Sequence, residues 1–198
     1  PRAPSQLMRH SLASLSGGVM SKDRNIWMVP AQRLIESARR FCTLVDRVHL
    51  AEADIPQLHH FHHLLLPLYS AALALPPIPF EECKCEERLS NADMESIYRA
   101  LGRLTGPRDK YREVFDPYDA LEEAEVFGSL MDDFGDIYRD LREGLGCWEL
   151  GHHASAGWTL RESFRFHWGK HLVDSLRPLH QLAVEHGYDW NDSPLQAG

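Results

Sequence analysis

The distribution of apolar residues predicts an all-α protein, a single-domain up-and-down bundle of about five main helices. Three observations carry that class. Apolar residues recur at three- and four-residue spacing in several long segments, and no segment shows sustained strand alternation. The chain of 198 residues is long enough to bury one substantial core. Its 43% hydrophobic and 25% charged residues are ordinary for a folded globular domain and exclude disorder or a fibrous repeat.

The first helix is expected from Pro30, suited to a first turn, to Leu50, with Leu34, Ala38, Phe41, Val45 and Val48 inward. The second opens at Asp54, which with Gln57 forms a capping-box pair, and buries Leu58, Phe61, His62, Leu65, Tyr69 and Ala72. Pro67 removes a backbone donor and predicts a kink near Phe61 to His63, and Pro76 to Pro79 end the segment. A third helix starts after Ser90 or Asn91, with Met94, Ile97, Tyr98 and Leu101 inward, and is broken or bent by Gly102 and Gly106-Pro107. A short helical piece from Arg108 to Phe115 precedes the turn sequence Asp116-Pro117-Tyr118-Asp119.

The fourth helix is expected over Ala120 to Leu145, with Val126, Phe127, Leu130, Phe134, Ile137, Tyr138 and Leu141 on one side and Gly146 as its stop. After a Gly/His/Ser loop, Thr159 and Glu162 read as a capping box that launches the fifth helix to His186, with Gly187 beyond it. Residues 24–187 form the bundle, residues 1–23 a flexible leader and residues 188–198 a polar tail. Met20-Ser21-Lys22 looks like a natural start, so residues 1–19 read as an upstream extension.

A formal charge of -8 disfavours nucleic acid and anionic membrane surfaces as partners. No apolar run approaches the roughly 20 residues that span a bilayer, and the leader lacks the apolar core of a secretory signal. The 4 cysteines are too few and scattered for a disulfide framework, which fits a reducing cytoplasm. Cys83 and Cys85 lack the paired-knuckle spacing of zinc sites and read as loop thiols.

The densest polar pattern lies on the fourth helix, where Asp132, Asp133, Asp136 and Asp140 recur beside Arg139 and Arg142. On the fifth, His167, His171 and Asp174 follow at i, i+4 and i+7 along one edge of the apolar face, with Arg161 and Arg165 on the other. Antiparallel packing would bring the two rows together. Asp133, Asp136, His167 and His171 then form a candidate set for a divalent metal ion, with Asp140, Arg165 and Asp174 completing a polar cluster. Such an ion activates water, and Arg165 would hold an anion, which describes a hydrolase acting on a phosphorylated small molecule. The same groups also serve as a hydrogen-bond network that fixes helix register, since buried charges need partners. The broader functional expectation is a small helical binding protein that meets itself or another protein through an acidic and aromatic surface.

Other patterns carry less. His59 and His63 share a face and His62 lies on the core stripe, but no third ligand accompanies them, so a polar edge with one core histidine is expected. Glu149 with His152 is an isolated Glu-x-x-His, and Glu122 and Glu125 share one expected helix with Asp133 and Asp136, unlike the facing acidic pairs of helical nucleotide pyrophosphatases. Tyr118, Trp148 and Trp158 are candidates for lining a groove, or for simple packing. No phosphate loop, nucleophile elbow or dinucleotide fingerprint occurs.

The stretch from Phe115 to Gly144, with Asp116-Pro117-Tyr118-Asp119, Gly128-Ser129-Leu130, Asp132-Asp133 and Asp136-Ile137-Tyr138-Arg139-Asp140-Leu141, resembles an uncharacterised bacterial all-helical domain family. His167-Trp168-Gly169-Lys170-His171-Leu172-Val173-Asp174 is similar to its second signature. The resemblance covers the C-terminal half and implies a bacterial helical protein with no assigned activity. Both signatures fall on the helices that carry the polar cluster.

Overall fold

A computed structural model of the chain describes residues 26–50, 58–81, 89–114, 118 and 126–187. The expectations for residues 1–23 and 188–198, the Asp54-Gln57 cap, Cys83 and Cys85, Glu122 and Glu125, and most of the Asp116 to Asp119 turn lie outside the described residues.

Helix α1, Met28–His49, buries Ala31, Leu34, Ile35, Ala38, Phe41, Val45 and Val48, the stripe its spacing predicts. Its first turn starts before Pro30, which has no amide hydrogen to lose there. Helix α2, Leu58–Leu73, continues through Pro67 as one helix. Helix α3, Asn91–Thr105, is opened by a complete capping box: Ser90 accepts from the Asp93 amide at 3.2 Å, and the Asp93 carboxylate accepts from the Ser90 amide at 3.2 Å. It runs through Gly102 and ends at Gly106, whose φ is 52°, at the Gly106-Pro107 pair the sequence marks. A 3-10 turn, Gly106–Arg108, follows.

The next segment corrects the sequence reading. Where a short helix was expected over Arg108 to Phe115, β1, Lys110–Glu113, pairs antiparallel with β2, Val126–Ser129, in the register Lys110 opposite Ser129 and Glu113 opposite Val126. Four-residue strands are too short for period-2 alternation to register in a sequence. The fourth long helix therefore begins at Leu130, not Ala120. Ser129 is its N-cap and accepts from the Asp132 amide at 3.3 Å.

Helix α4, Leu130–Glu149, runs past Gly146. After a tight turn, α5, His153–Ser163, occupies the stretch expected as a loop, so Thr159 and Glu162 lie inside a helix and do not cap one. Its buried residues Ser155, Ala156, Gly157 and Leu160 are small or polar for the most part, which is why no apolar stripe announced it. A π-helical turn, Phe164–Trp168, joins α5 to α6, Gly169–His186, and Gly187 closes α6 in the left-handed conformation at φ 59°.

Helix α4 is the hub, packing against α1, α3, α5 and α6. Where it meets α1 and α2, Phe61 stacks on Phe134 with ring centroids 4.2 Å apart, and Phe41 meets both edge-on. Trp168 is fully buried and donates its indole N–H to the Leu160 carbonyl at 3.2 Å, tying the π turn back to α5. The chain is predominantly helical, a bundle with one two-stranded ribbon. Among the described residues no helix is long and apolar enough to cross a membrane. Cys42 is a buried free thiol, whereas Cys147 is disulfide-bonded, although the cysteine pattern suggested no disulfide framework.

Candidate metal centre

The polar rows of α4 and of the π turn with α6 do face each other, and their geometry sorts residues that the sequence could only group. His167 sits within the π turn and His171 one α-helical turn later, with ring centroids 4.9 Å apart. Each ring is held by its own carboxylate. The Nδ1 of His167 lies 2.8 Å from Asp140 Oδ2, and the Nδ1 of His171 lies 2.9 Å from Asp133 Oδ1. An Nδ1–H donated to a carboxylate fixes the tautomer and leaves Nε2 as a lone-pair donor.

Both Nε2 atoms turn toward Asp136. Its Oδ2 stands 3.5 Å from His171 Nε2 and 3.9 Å from His167 Nε2. Its other oxygen, Oδ1, is occupied: Tyr98 donates its hydroxyl to it at 2.7 Å and Arg139 Nη2 lies 2.8 Å away. Asp136 is thus clamped on one side and presents a single oxygen to the two imidazoles. The ligand atoms of Asp136, His167 and His171 all lie within 4.8 Å of one another, and all three residues are partly exposed.

These distances are too long for good hydrogen bonds. They suit the edges of a coordination polyhedron. Ligands about 2.0–2.1 Å from a metal stand about 3.3 Å apart in a tetrahedron and about 2.9 Å apart in an octahedron. The 3.5 Å separation lies close to the tetrahedral edge and the 3.9 Å separation beyond it, so the ligands would draw in on an ion.

Of the four residues that the sequence singled out as ligands, three converge. Asp133 does not, because it is nearly buried and both its oxygens are spent, on His171 and on the Tyr111 hydroxyl at 2.7 Å. Burial raises the Asp133 carboxyl above its ordinary range, opposed by the bonds from His171 and Tyr111, while the bond to Asp133 raises His171 against the pull of burial. Asp140 is raised by burial and lowered by its bond to His167.

The remaining cluster members lie apart. Arg165 is tied to Glu162 at 3.1 Å with its guanidinium 5.0 Å from the Phe166 ring centroid, so it does not point at the candidate ion. Asp174 pairs with Lys170 at 2.8 Å, and Lys170 also reaches Glu113 on β1. His62 is buried as expected; burial and the neighbouring His63 and His180 hold its imidazole below the ordinary value. The aromatic groove does not form, since Trp148 packs on His153, Trp158 meets Phe80, and Tyr118 is 95% exposed.

Three supporting features escaped the sequence reading. Tyr98 and Tyr111 reach their carboxylates only because Gly135 and Gly128 have no side chain: a Cβ at Gly135 would stand 2.1 Å from the Tyr98 ring, and one at Gly128 2.3 Å from the Tyr111 ring. Asp109, just before β1, anchors the start of α4. Its backbone carbonyl accepts from the Leu130 amide at 2.9 Å, and its carboxylate from the Met131 amide at 2.9 Å and the Ser129 hydroxyl at 2.8 Å. Gly135, next to Asp136, and Gly128, four residues before Asp132, were the available signal for the tyrosines; nothing local marked Asp109.

A family match runs over residues 26–185. The chain belongs to the family described as Domain of unknown function (DUF5063). The match spans every element from α1 to nearly the end of α6, so both polar rows lie inside the DUF5063 domain. Among solved structures the chain is similar to protein BF1032 from Bacteroides fragilis, with a TM-score of 0.65 and 20% identity, covering 84% of this chain and 98% of that one. That likeness shows the fold. No curated protein matches.

Proposed function

We propose that this DUF5063 domain binds one divalent transition-metal ion through His167 Nε2, His171 Nε2 and Asp136 Oδ2. The observation that carries the reading is the pair of imidazoles aimed at one carboxylate oxygen, each anchored from behind by a separate aspartate. Metal-ligating histidines characteristically carry such an outer carboxylate. A plain hydrogen-bond network would instead bring Nε2 and Oδ2 into direct contact. Two imidazoles and one carboxylate are a donor set that favours Zn²⁺, and three protein ligands leave a fourth position open to water or substrate.

Metal analysis of purified protein, followed by calorimetric titration of the EDTA-treated chain with Zn²⁺, tests the reading. One equivalent bound by the native chain and none by His171→Ala or Asp136→Asn is expected. Absence of binding by the native chain overturns it. The cytoplasm of a bacterium is the proposed setting, supported by the acidic charge and by the resemblance to a bacterial family; the Cys147 disulfide opposes a reducing compartment. Counting alkylated thiols by mass spectrometry, in protein trapped as it leaves the cell, decides between the two.

A further inference from the structure

A cavity lies between α2, β1 and α6, bordered by Tyr111, which donates to Asp133. It has a volume of about 750 Å³ and continues, through shared Tyr111, Arg112, Val173 and Arg177, into a depression of about 560 Å³. That is the size of a small-molecule site. Its larger part is lined by two arginines, Arg112 and Arg177, and two histidines, His62 and His180, with no carboxylate, on a chain whose formal charge is -8. Such a local concentration of cationic and imidazole groups on an acidic protein is complementary to an anion.

Between these groups the wall is apolar. Leu66 from α2 and Val173 from α6 are 52% and 48% exposed into this groove, joined by Leu176. Arg177 is exposed and has no hydrogen-bond or ion-pair partner among the described residues, so its guanidinium is available without breaking a contact. The acids nearby, Glu113 and Asp174, line only the smaller depression, where both pair with Lys170.

We propose that this groove binds a small amphipathic anion, its carboxylate or phosphate head on Arg177 beside Arg112 and its apolar body along Leu66 and Val173. A bidentate guanidinium contact supplies orientation, and burial of the two aliphatic side chains supplies most of the affinity. The groove is separate from the metal ligands but not isolated from them. Tyr111 lines it and donates to Asp133, which holds His171, so a ligand against the Tyr111 ring presses on the outer support of the metal centre.

Isothermal titration of the EDTA-treated full chain with octanoate, octyl phosphate, octanol and inorganic phosphate tests this without involving the metal. Binding of octanoate or octyl phosphate about tenfold or more tighter than octanol and inorganic phosphate is expected, and the tighter of the two anions identifies the head group. Arg177→Ala should weaken that binding about tenfold and Val173→Asp should abolish it; both positions are exposed, and circular dichroism checks that the variants fold. Wild-type protein that binds neither anion, that binds octanol equally well, or whose affinity survives both substitutions overturns the proposal.

Discussion

At the residue scale, the two histidines and their three aspartates perform separable tasks. Asp136 offers an oxygen to the ion, whereas Asp133 and Asp140 act through the imidazoles behind them. Removing an outer partner leaves the ligand atoms in place but loosens their aim, so Asp133→Asn and Asp140→Asn should each weaken Zn²⁺ binding by about 10–100-fold without abolishing it. Calorimetry distinguishes this from the complete loss expected for Asp136→Asn. Acidity acts in the same place. Because Asp133 holds His171 above its ordinary value, a proton competes with the metal until the pH exceeds that raised value. Zn²⁺ affinity should therefore rise with pH through the neutral range, and the rise should begin at lower pH in Asp133→Asn.

At the element scale, the site depends on how α3, α4 and the π turn are seated. Helix α4 starts where Asp109 gathers the Ser129 hydroxyl and the Leu130 and Met131 amides. Burial disfavours the Asp109 carboxylate, but the Met131 amide and the Ser129 and Thr105 hydroxyls outweigh it and hold the group below its ordinary value. A carboxylate lowered on folding stabilises the fold above its unfolded value and loses that contribution as pH falls through the folded one. Asp109→Ala should cost about 1–2 kcal/mol at neutral pH, measured by urea denaturation, and less as the solution is acidified. Gly135→Ala should also destabilise, by about 1–3 kcal/mol, because the new methyl meets the Tyr98 ring, and Tyr98→Ala in the same chain should recover much of the loss.

The same scale shows what a sequence can reveal. Helices α1 and α3 were legible because their apolar residues recur at helical spacing and Ser90 or Asn91 marks where α3 starts. The acidic row and the two histidines were legible because helical spacing alone puts them on one edge. The strands were hidden by their length, α5 by its small buried residues, and the π turn by a period of 3.6 that admits no inserted residue. Asp133 was grouped with the ligands because spacing gives direction without giving distance. Only Tyr111, coming from a strand that the sequence did not disclose, shows that both its oxygens are already used.

At the scale of the whole molecule, α4 carries one face of the core and one half of the site. Phe134 stacks on Phe61 one residue from Asp133 and two from Asp136, so packing of the bundle sets the position of the carboxylates. The chain carries a formal charge of -8, while the groove beside α6 gathers arginines and histidines, so the proposed cation and anion sites use different residues. The most direct measurement is X-ray absorption at the zinc edge of the Zn²⁺-loaded protein. Two imidazole nitrogens and two oxygens at about 2.0–2.1 Å are expected, with that shell lost in His171→Ala. A sulfur shell at about 2.3 Å, which would place the ion on cysteine, or an ion surrounded only by oxygen, would contradict it.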